Sequence, residues 1–422
     1  MNTNLDIALH KKEKGRQNES VISFSSLPFS MHNPTTILHQ LQHLLPMDAF
    51  SRFVGQHQAD RYSKKLTCKD QLMILLYAQA TGKDSLREIE TGLLTEHKRW
   101  YHLGLQTVAR NTLAHANGKR PWQVYQSLFY ELVGKCQAFA SGTTNAFSFR
   151  NDLRAIDSTT IDLCLSVFPW AEFRKRKGAV KIHPVLNIRS QIPEVVVVTD
   201  GKVGDITVAK GLDLSQFPKG TIFVFDRGYN DYAFLRKIKQ AGHHFVIRLK
   251  KNAHIMPLGQ HRSPTGNGVL RDERVAFVLD AAAAKYPDDL RLVTFYDEQT
   301  GKEYRFLTDE FRLSAANITL IYKKRWEIET FFKWIKQHLK IKTFLGTSEN
   351  AVMTQIWIAM VYYLLLAWIK FQTKFDGSLL NLTRIIDAAI LKPVSLIDLL
   401  SLTPKTVTQA MQRASPPQAT LF

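Results

Sequence analysis

GTIFVFDRGYNDYAFLRKIKQAGHHFVIRLK, residues 220–250, changes its period twice within thirty residues. Thr221 to Phe225 is a short run of β-branched and aromatic residues closed by Asp226, as expected of a buried strand. Tyr232 to Gly242 then reads as a helix, and His243 to Lys250 as a second strand. Strand, helix and strand in succession indicate an α/β sheet. Upstream, LRAIDSTTIDL (153–163), GAVKIHPVLNIRS (178–190) and EVVVVTDG (194–201) add further strands bounded by Gly, Pro or charged turns. Downstream, residues 251–313 are richer in turns, and RLVTFYDEQTGKEYRFLTD (291–309) reads as a hairpin closing around Gly301.

On either side of this α/β centre the pattern is helical. Residues 34–145 hold few strand signals. Leu38, Leu41, Leu44 and Leu45 mark a first helix, and QLMILLYAQATG from Gln71 a buried one ending at Gly82. Ser85 and Glu88 form an S-x-x-E capping box at the next helix start. Arg87, Arg110, Lys119 and Arg120 lie near the joints between these helices, an arrangement equally suited to a helix-turn-helix-like DNA reader and to an ordinary bundle with a basic surface. Residues 346–422 are helical again and end in a polar, Pro-containing tail. Residues 1–33 read as a flexible polar tail, and the first twenty lack the apolar core of a secretory signal.

The chain has 422 residues, 45% of them hydrophobic, which is ample for a packed core. Its 56 Lys and Arg against 37 Asp and Glu leave a formal charge of +19, expected of a protein that meets phosphate backbones, with an anionic membrane as the competing partner. Cys68, Cys136 and Cys164 are far apart and odd in number, which fits a reducing compartment. The run IWIAMVYYLLLAWI (356–369) falls short of the ~20 apolar residues a membrane span needs and reads as a buried helix.

Three carboxylates stand in the pattern. Asp157 sits in a strand-like apolar frame and Asp226 at the end of IFVF, where an unpaired carboxylate is poorly solvated. The third is Glu329, in YKKRWEIETFFKWIKQHLK (322–340). At 100° per residue, Tyr322, Arg325, Glu329 and Lys336 share a polar stripe about 60° wide, while Ile328, Phe331, Phe332, Ile335 and Leu339 form an apolar arc. Taken singly, each acid has a bland alternative: Asp157 capping a turn, Asp226 pairing with Arg227, and Glu329 pairing with Arg325 at i, i+4. Together they are an oxygen-ligand set of the kind that holds hard divalent cations.

Asp157 in AIDSTTI, Asp226 in FDRGY and the Y-x2-R-x3-E-x6-K spacing at Tyr322, Arg325, Glu329 and Lys336 resemble the DDE transposases of the insertion sequence 4 type, with their YREK signature. The resemblance runs from about residue 35 to about 370 and takes in ADRYSKKLTCKDQLMILLYAQATGKDSLREIETGL, which is similar to the N-terminal domain of many of these enzymes. It implies a ribonuclease H-like catalytic domain at 146–345, interrupted by a strand-rich insertion at about 251–313. It implies that Asp157, Asp226 and Glu329 hold two Mg²⁺ ions, with Mn²⁺ able to substitute, and that Tyr322, Arg325 and Lys336, with Lys333 and Arg227 beside them, grip DNA. The activity implied is metal-dependent cutting of the ends of a mobile element and joining of the 3′-hydroxyls to target DNA. The implied partners are double-stranded DNA and a second copy of the chain, and the implied setting is the bacterial cytoplasm, at the nucleoid.

Two features depart from the family pattern. The insertion contains no Trp, leaving Phe295, Tyr296, Tyr304 and Phe306 as rings for a flipped base at a hairpin step; Trp326 beside the stripe is an alternative, though its expected place is the core. Gly204-Asp205 stands where many relatives have His-Asp, so Asp205 is read as an orienting residue and His183 as a residue of a strand face or the sheet core. The competing functions are a nuclease of the same fold without strand transfer, and a catalytically dead DNA-binding derivative.

Overall fold

The structure, a computed structural model, describes residues 35–402 apart from 101–102, 141–148, 175–176, 251, 264–265, 279 and 339–343. The tail at 1–33 lies outside the described residues. The central strands are β1 (Leu153–Ile156), β2 (Thr159–Leu163), β3 (Glu172–Arg174), β4 (Lys177–Asn187), β5 (Pro193–Asp200), β6 (Ile222–Phe225) and β7 (His244–Arg248). Both β1 and β2 pair antiparallel with β4 in one continuous register, Ile156 opposite Val185 and Thr159 opposite Ile182. They are therefore one strand interrupted at Asp157 and Ser158. β5 lies antiparallel on β4, while β6 is parallel to β1 and β7 parallel to β6. Three antiparallel strands followed by two parallel ones, in the order β5-β4-β1-β6-β7, make a ribonuclease H-like core.

Helix α8 (Asp205–Lys210) precedes β6, and α9 (Tyr232–Gln240) carries the chain from β6 to β7. Asp231 caps α9 by accepting from Phe234 N, and Phe234, Leu235 and Ile238 pack on Phe225 and Ile247 of the sheet. The strand-rich insertion comprises β8 (Ile255–Gln260), β9 (Val269–Phe277), α10 (Asp280–Lys285), β10 (Leu290–Asp297) and β11 (Lys302–Thr308). It does not form a separate sheet. β11 pairs antiparallel with β7, so the same sheet continues as β7-β11-β10-β9-β8. The expected hairpin is β10–β11, closed by Asp297 opposite Lys302 with Gly301 at φ +62°, a conformation that favours glycine.

One buried ion pair fixes the insertion. Arg291, 0% exposed, bonds Asp272 bidentately, with Nε to Oδ1 and Nη2 to Oδ2 both at 2.8 Å, and its Nη1 donates to the carbonyls of Glu310 and Leu313. Where the insertion rejoins the core, His244 stands between two buried acids, Asp309 Oδ2 at 3.2 Å and Glu310 Oε2 at 3.3 Å. The Asp309 hydrogen bond, then the charges of both acids, hold the imidazole above its usual range. Burial works to raise the Glu310 carboxyl, but its bonds from Arg312 outweigh this and leave it lowered. The His244 contribution is therefore complete below about pH 6.5 and is lost as pH rises through the raised value; that of Glu310 is complete above about 4.5 and is lost as pH falls through the lowered one. Thermal unfolding of wild type and His244→Gln between pH 5.5 and 8.5 should show the wild-type Tm falling relative to the variant as pH rises. A gap that does not change with pH would show that folding does not raise the His244 pKa.

The helices are α1 (Ile37–Leu44), α2 (Met47–Gln56), α3 (Cys68–Ala80), α4 (Leu86–Thr95), α5 (His97–Trp100), α6 (Arg110–Lys119) and α7 (Gln123–Ala140), and, after the sheet, α11 (Ala315–Lys324), α12 (Trp326–His338), α13 (Glu349–Gln372), α14 (Leu379–Ala389) and α15 (Leu396–Ser401). Ser85 caps α4 through Glu88 N, although the returning Glu88 carboxylate reaches Asp84 N instead of Ser85 N. A complete capping box, Thr67 with Asp70, opens α3. Helix α13 is long and apolar enough to cross a membrane by length and composition, yet it is buried against α3, α6, α7 and α14. Its Trp357 stacks parallel to Trp122, the residue before α7. Of the basic residues near the helix joints, Arg120 turns inward. It is 8% exposed and donates to Thr67 O, Gln71 Oε1, Ser63 Oγ and Leu66 O.

Candidate active site

The parallel register sets the first two acids side by side. β1 and β6 pair with Leu153 opposite Ile222 and Ala155 opposite Val224, and the same offset puts Asp157 level with Asp226 at the carboxyl ends of adjacent strands. Ligand crevices of open α/β sheets lie at such strand ends. Asp157 occupies the interruption between β1 and β2, its Oδ1 accepting from Ser158 N at 2.8 Å. Asp226 closes β6 and caps the short turn after it, accepting from Gly228 N at 2.7 Å.

The third acid arrives on a broken helix. The stretch 322–340 reads as one amphipathic helix, but the structure divides it at Arg325, with α11 ending at Lys324 and α12 starting at Trp326. The reason lies in the backbone: Arg325 N bonds Tyr322 O and Ile328 N bonds Arg325 O, both i to i−3, which winds the joint tighter than an α-helix. The expected apolar arc is buried at Ile328, Phe331, Phe332 and Ile335, while Leu339 lies outside the described residues. Arg325, only 7% exposed, reaches back from the joint. Its Nη1 stands 3.1 Å from Asp157 Oδ2 and 3.3 Å from Glu329 Oε1.

Burial pushes the Asp157 carboxyl up to about 6; Ser158 N and Arg325 oppose this, whereas the charges of Asp226 and Glu329 add to it. The three carboxylates therefore share one electrostatic neighbourhood. Tyr229, 2% exposed, lies within it too: burial, then Asp157, Asp205 and Asp226, raise its hydroxyl. Asp205 is engaged elsewhere, 3.1 Å from Lys181 Nζ. His183 is buried on β4, bonded to Thr199 Oγ1 at 3.0 Å, and burial lowers it to about 4. It is thus neutral and structural near neutral pH.

The basic and aromatic candidates divide by exposure. Lys333, Lys336 and Arg227 are exposed, whereas Tyr322 is 8% exposed with its ring 4.5 Å from Phe306. Trp326 corrects an expectation: it is 63% exposed instead of in the core, because at 100° per residue it falls off the apolar arc; the Arg325 guanidinium stands 5.7 Å from its ring. Of the rings in the insertion, Phe295 and Phe306 are buried and Tyr296 is 41% exposed; Tyr304 stacks on Phe306 beneath the Arg248 guanidinium. Arg248 was not among the residues expected at the site. The β6–β7 register puts it level with Asp226, and the signal was the same one that marked Asp226, a charge at the end of an apolar strand.

In chemistry the donors suit a hard divalent cation, being carboxylate oxygens at the ends of neighbouring strands and on a facing helix. In placement, no three His, Cys, Asp or Glu side chains among the described residues are grouped closely enough to hold an ion, and Arg325 spans Asp157 and Glu329. An ion shared by these two acids requires the guanidinium to move aside.

A ribonuclease H-like sheet with acids at the ends of β1 and β6 and on α12 is an arrangement suited to phosphoryl transfer in nucleic acids. The chain belongs to the DDE transposases. Residues 148–365 match the transposase DDE domain, and residues 33–106 match DUF4372, a domain of unknown function. The chain is 33% identical over 257 residues, 60% of its length and 69% of the relative's, to the putative transposase y4zB of Sinorhizobium fredii. It is 31% identical over 273 residues, 64% and 70% of the two chains, to the probable transposase for insertion sequence element IS5377 of Geobacillus stearothermophilus. To the putative transposase for insertion sequence element IS4SA of Synechocystis sp. it is 26% identical over 323 residues, 74% and 86% of the two chains. The family acts on DNA and uses divalent metal ions.

Proposed function

We propose that this transposase binds the ends of an insertion sequence as double-stranded DNA, cuts them, and joins the freed 3′-hydroxyls to target DNA, using Asp157, Asp226 and Glu329. The observation that carries this reading is the level placement of Asp157 and Asp226 on adjacent parallel strands, with Glu329 tied to Asp157 through Arg325. All three are hard oxygen donors, which favours Mg²⁺, with Mn²⁺ able to substitute. Divalent ions at such a site make a water or hydroxyl a better nucleophile and stabilise the departing oxygen.

The chain's own side chains do the positioning. The acids fix the site at the strand ends, and burial keeps the Asp157 carboxyl partly shielded from water. Lys333, Lys336 and Arg227, being exposed, take DNA phosphates, and Arg325 provides a planar guanidinium that turns from the acids to a phosphate. Tyr322, packed on Phe306, holds the α11 end of the joint and lies next to the bound strand. The exposed Trp326 is the ring best placed to stack on a displaced base if cutting passes through a hairpin. Two element ends must be held together, so a homodimer is the working assembly, in the cytoplasm where the nucleoid is reached.

The test is incubation of labelled element-end duplex and a target plasmid with the full chain, with Mg²⁺ and then with excess EDTA. Cut and joined products that appear with Mg²⁺ and vanish with EDTA are expected. Cutting without joining, under conditions that pair two ends, would make the protein a nuclease of the same fold; products that persist in EDTA would remove the metal from the reading.

A further inference from the structure

The loop between α2 and α3, RYSKK at 61–65, has an unusual charge arrangement. Arg61, Tyr62, Lys64, Lys65 and, in the first turn of α3, Lys69 are exposed, with Tyr62 at 86%. Among the described residues no carboxylate pairs with any of these four cations, although two acids lie within the same stretch. Both acids are bound from within: Asp60 accepts from Cys68 N and lies 3.4 Å from Arg120 Nη2, and Asp70 accepts from Thr67 N and Oγ1.

The loop is also held in shape from beneath. The buried Arg120 guanidinium ties Ser63, Leu66 and Thr67 to α3 through Gln71. Tyr62 is kept in the left-handed region at φ 68°, strained for a tyrosine, with its ring outside the protein and the Arg61 guanidinium 5.0 Å from the ring centre. A rigid tip bearing four uncompensated cations around one fully presented aromatic ring suits a partner with regularly spaced anions and flat or sugar surfaces between them. Nucleic acid has both.

From this we propose that the 61–65 loop is a DNA-gripping element of the N-terminal region: Lys64, Lys65 and Lys69 take backbone phosphates, and Tyr62 packs on a sugar or base edge between them. The proposal rests on the transposase reading and gives the region matched by the domain of unknown function a role in holding duplex DNA.

The experiment measures affinity of the full chain for element-end duplex between 50 and 300 mM salt, for wild type, Lys64→Gln with Lys65→Gln, Tyr62→Ala and Tyr62→Phe. Unchanged Tm and circular dichroism establish that each variant folds. The double lysine variant should lower the slope of log K against log salt by about two, since each neutralised phosphate contributes about 0.9. Tyr62→Ala should bind about tenfold more weakly at every salt with the slope unchanged, while Tyr62→Phe keeps most of the affinity. Folded variants that bind as wild type does would overturn the loop proposal and leave the transposase reading standing. Wild type that binds no DNA would overturn both. Vesicles of neutral with 25% anionic lipid form a last arm: loop-dependent vesicle binding combined with loop-independent DNA binding would assign the surface to membranes and overturn the proposal.

Discussion

Asp157→Ala, Asp226→Ala and Glu329→Ala should each reduce cutting of element ends by at least about 10³-fold, equivalent to roughly 4 kcal/mol of transition-state stabilisation, while DNA binding persists. The three acids come from three separate segments, the β1–β2 junction, the end of β6 and α12, so none can stand in for another. Removing Asp157 leaves Arg325 with Glu329 alone, and removing Glu329 leaves it with Asp157 alone, so the guanidinium stays neutralised and the joint at α11–α12 should persist. Gel-resolved cleavage by folded variants decides the matter. A variant that cuts within tenfold of wild type would take that acid out of the site.

The largest effect on stability should come from Asp272→Ala. Arg291 would then be a fully buried cation with only the two carbonyls of Glu310 and Leu313 left to it, and breaking a buried pair in this way costs about 3–5 kcal/mol. Thermal unfolding should show a drop of about 3–6 °C. Asp272→Leu combined with Arg291→Met should recover much of it, because neither charge then remains buried. If the single variant unfolds with wild type, the pair does not stabilise the packing of β9 and β10.

Much of this was open to reading in the chain because the chemistry follows local pattern. The strand, helix and strand of β6, α9 and β7 showed as a change of period, and the β10–β11 hairpin as alternating residues around Gly301. Asp157 and Asp226 stood out because a carboxylate interrupts or closes an apolar run, and Glu329 because it shares a polar helical stripe with Tyr322, Arg325 and Lys336. What could not be read depends on contacts between distant segments. The level placement of Asp157 and Asp226 is a matter of strand register, which neither strand encodes alone. The break at Arg325 comes without Pro or Gly, from two backbone bonds one residue shorter than helical, so the 3.6-residue period passes through it unmarked. Trp326 is a large apolar ring of the kind that fills cores, yet it lies outside because its position on the helix falls away from the apolar arc. Arg120 looks like a surface cation at a helix end, and only the folded chain shows that it faces inward.

The packing of α13 on α3, α6 and α7 also governs the order of events during synthesis. The helices of the N-terminal region leave the ribosome first, but the surface that covers them is encoded roughly 200 residues later, a delay on the order of 10–40 s at ordinary translation rates. Until then α3 packs on α1 and α7 on α2, and the faces that α13 covers stay open. The nascent chain therefore has no finished N-terminal helical region before its central sheet has been made, and the two mature together when α13 emerges.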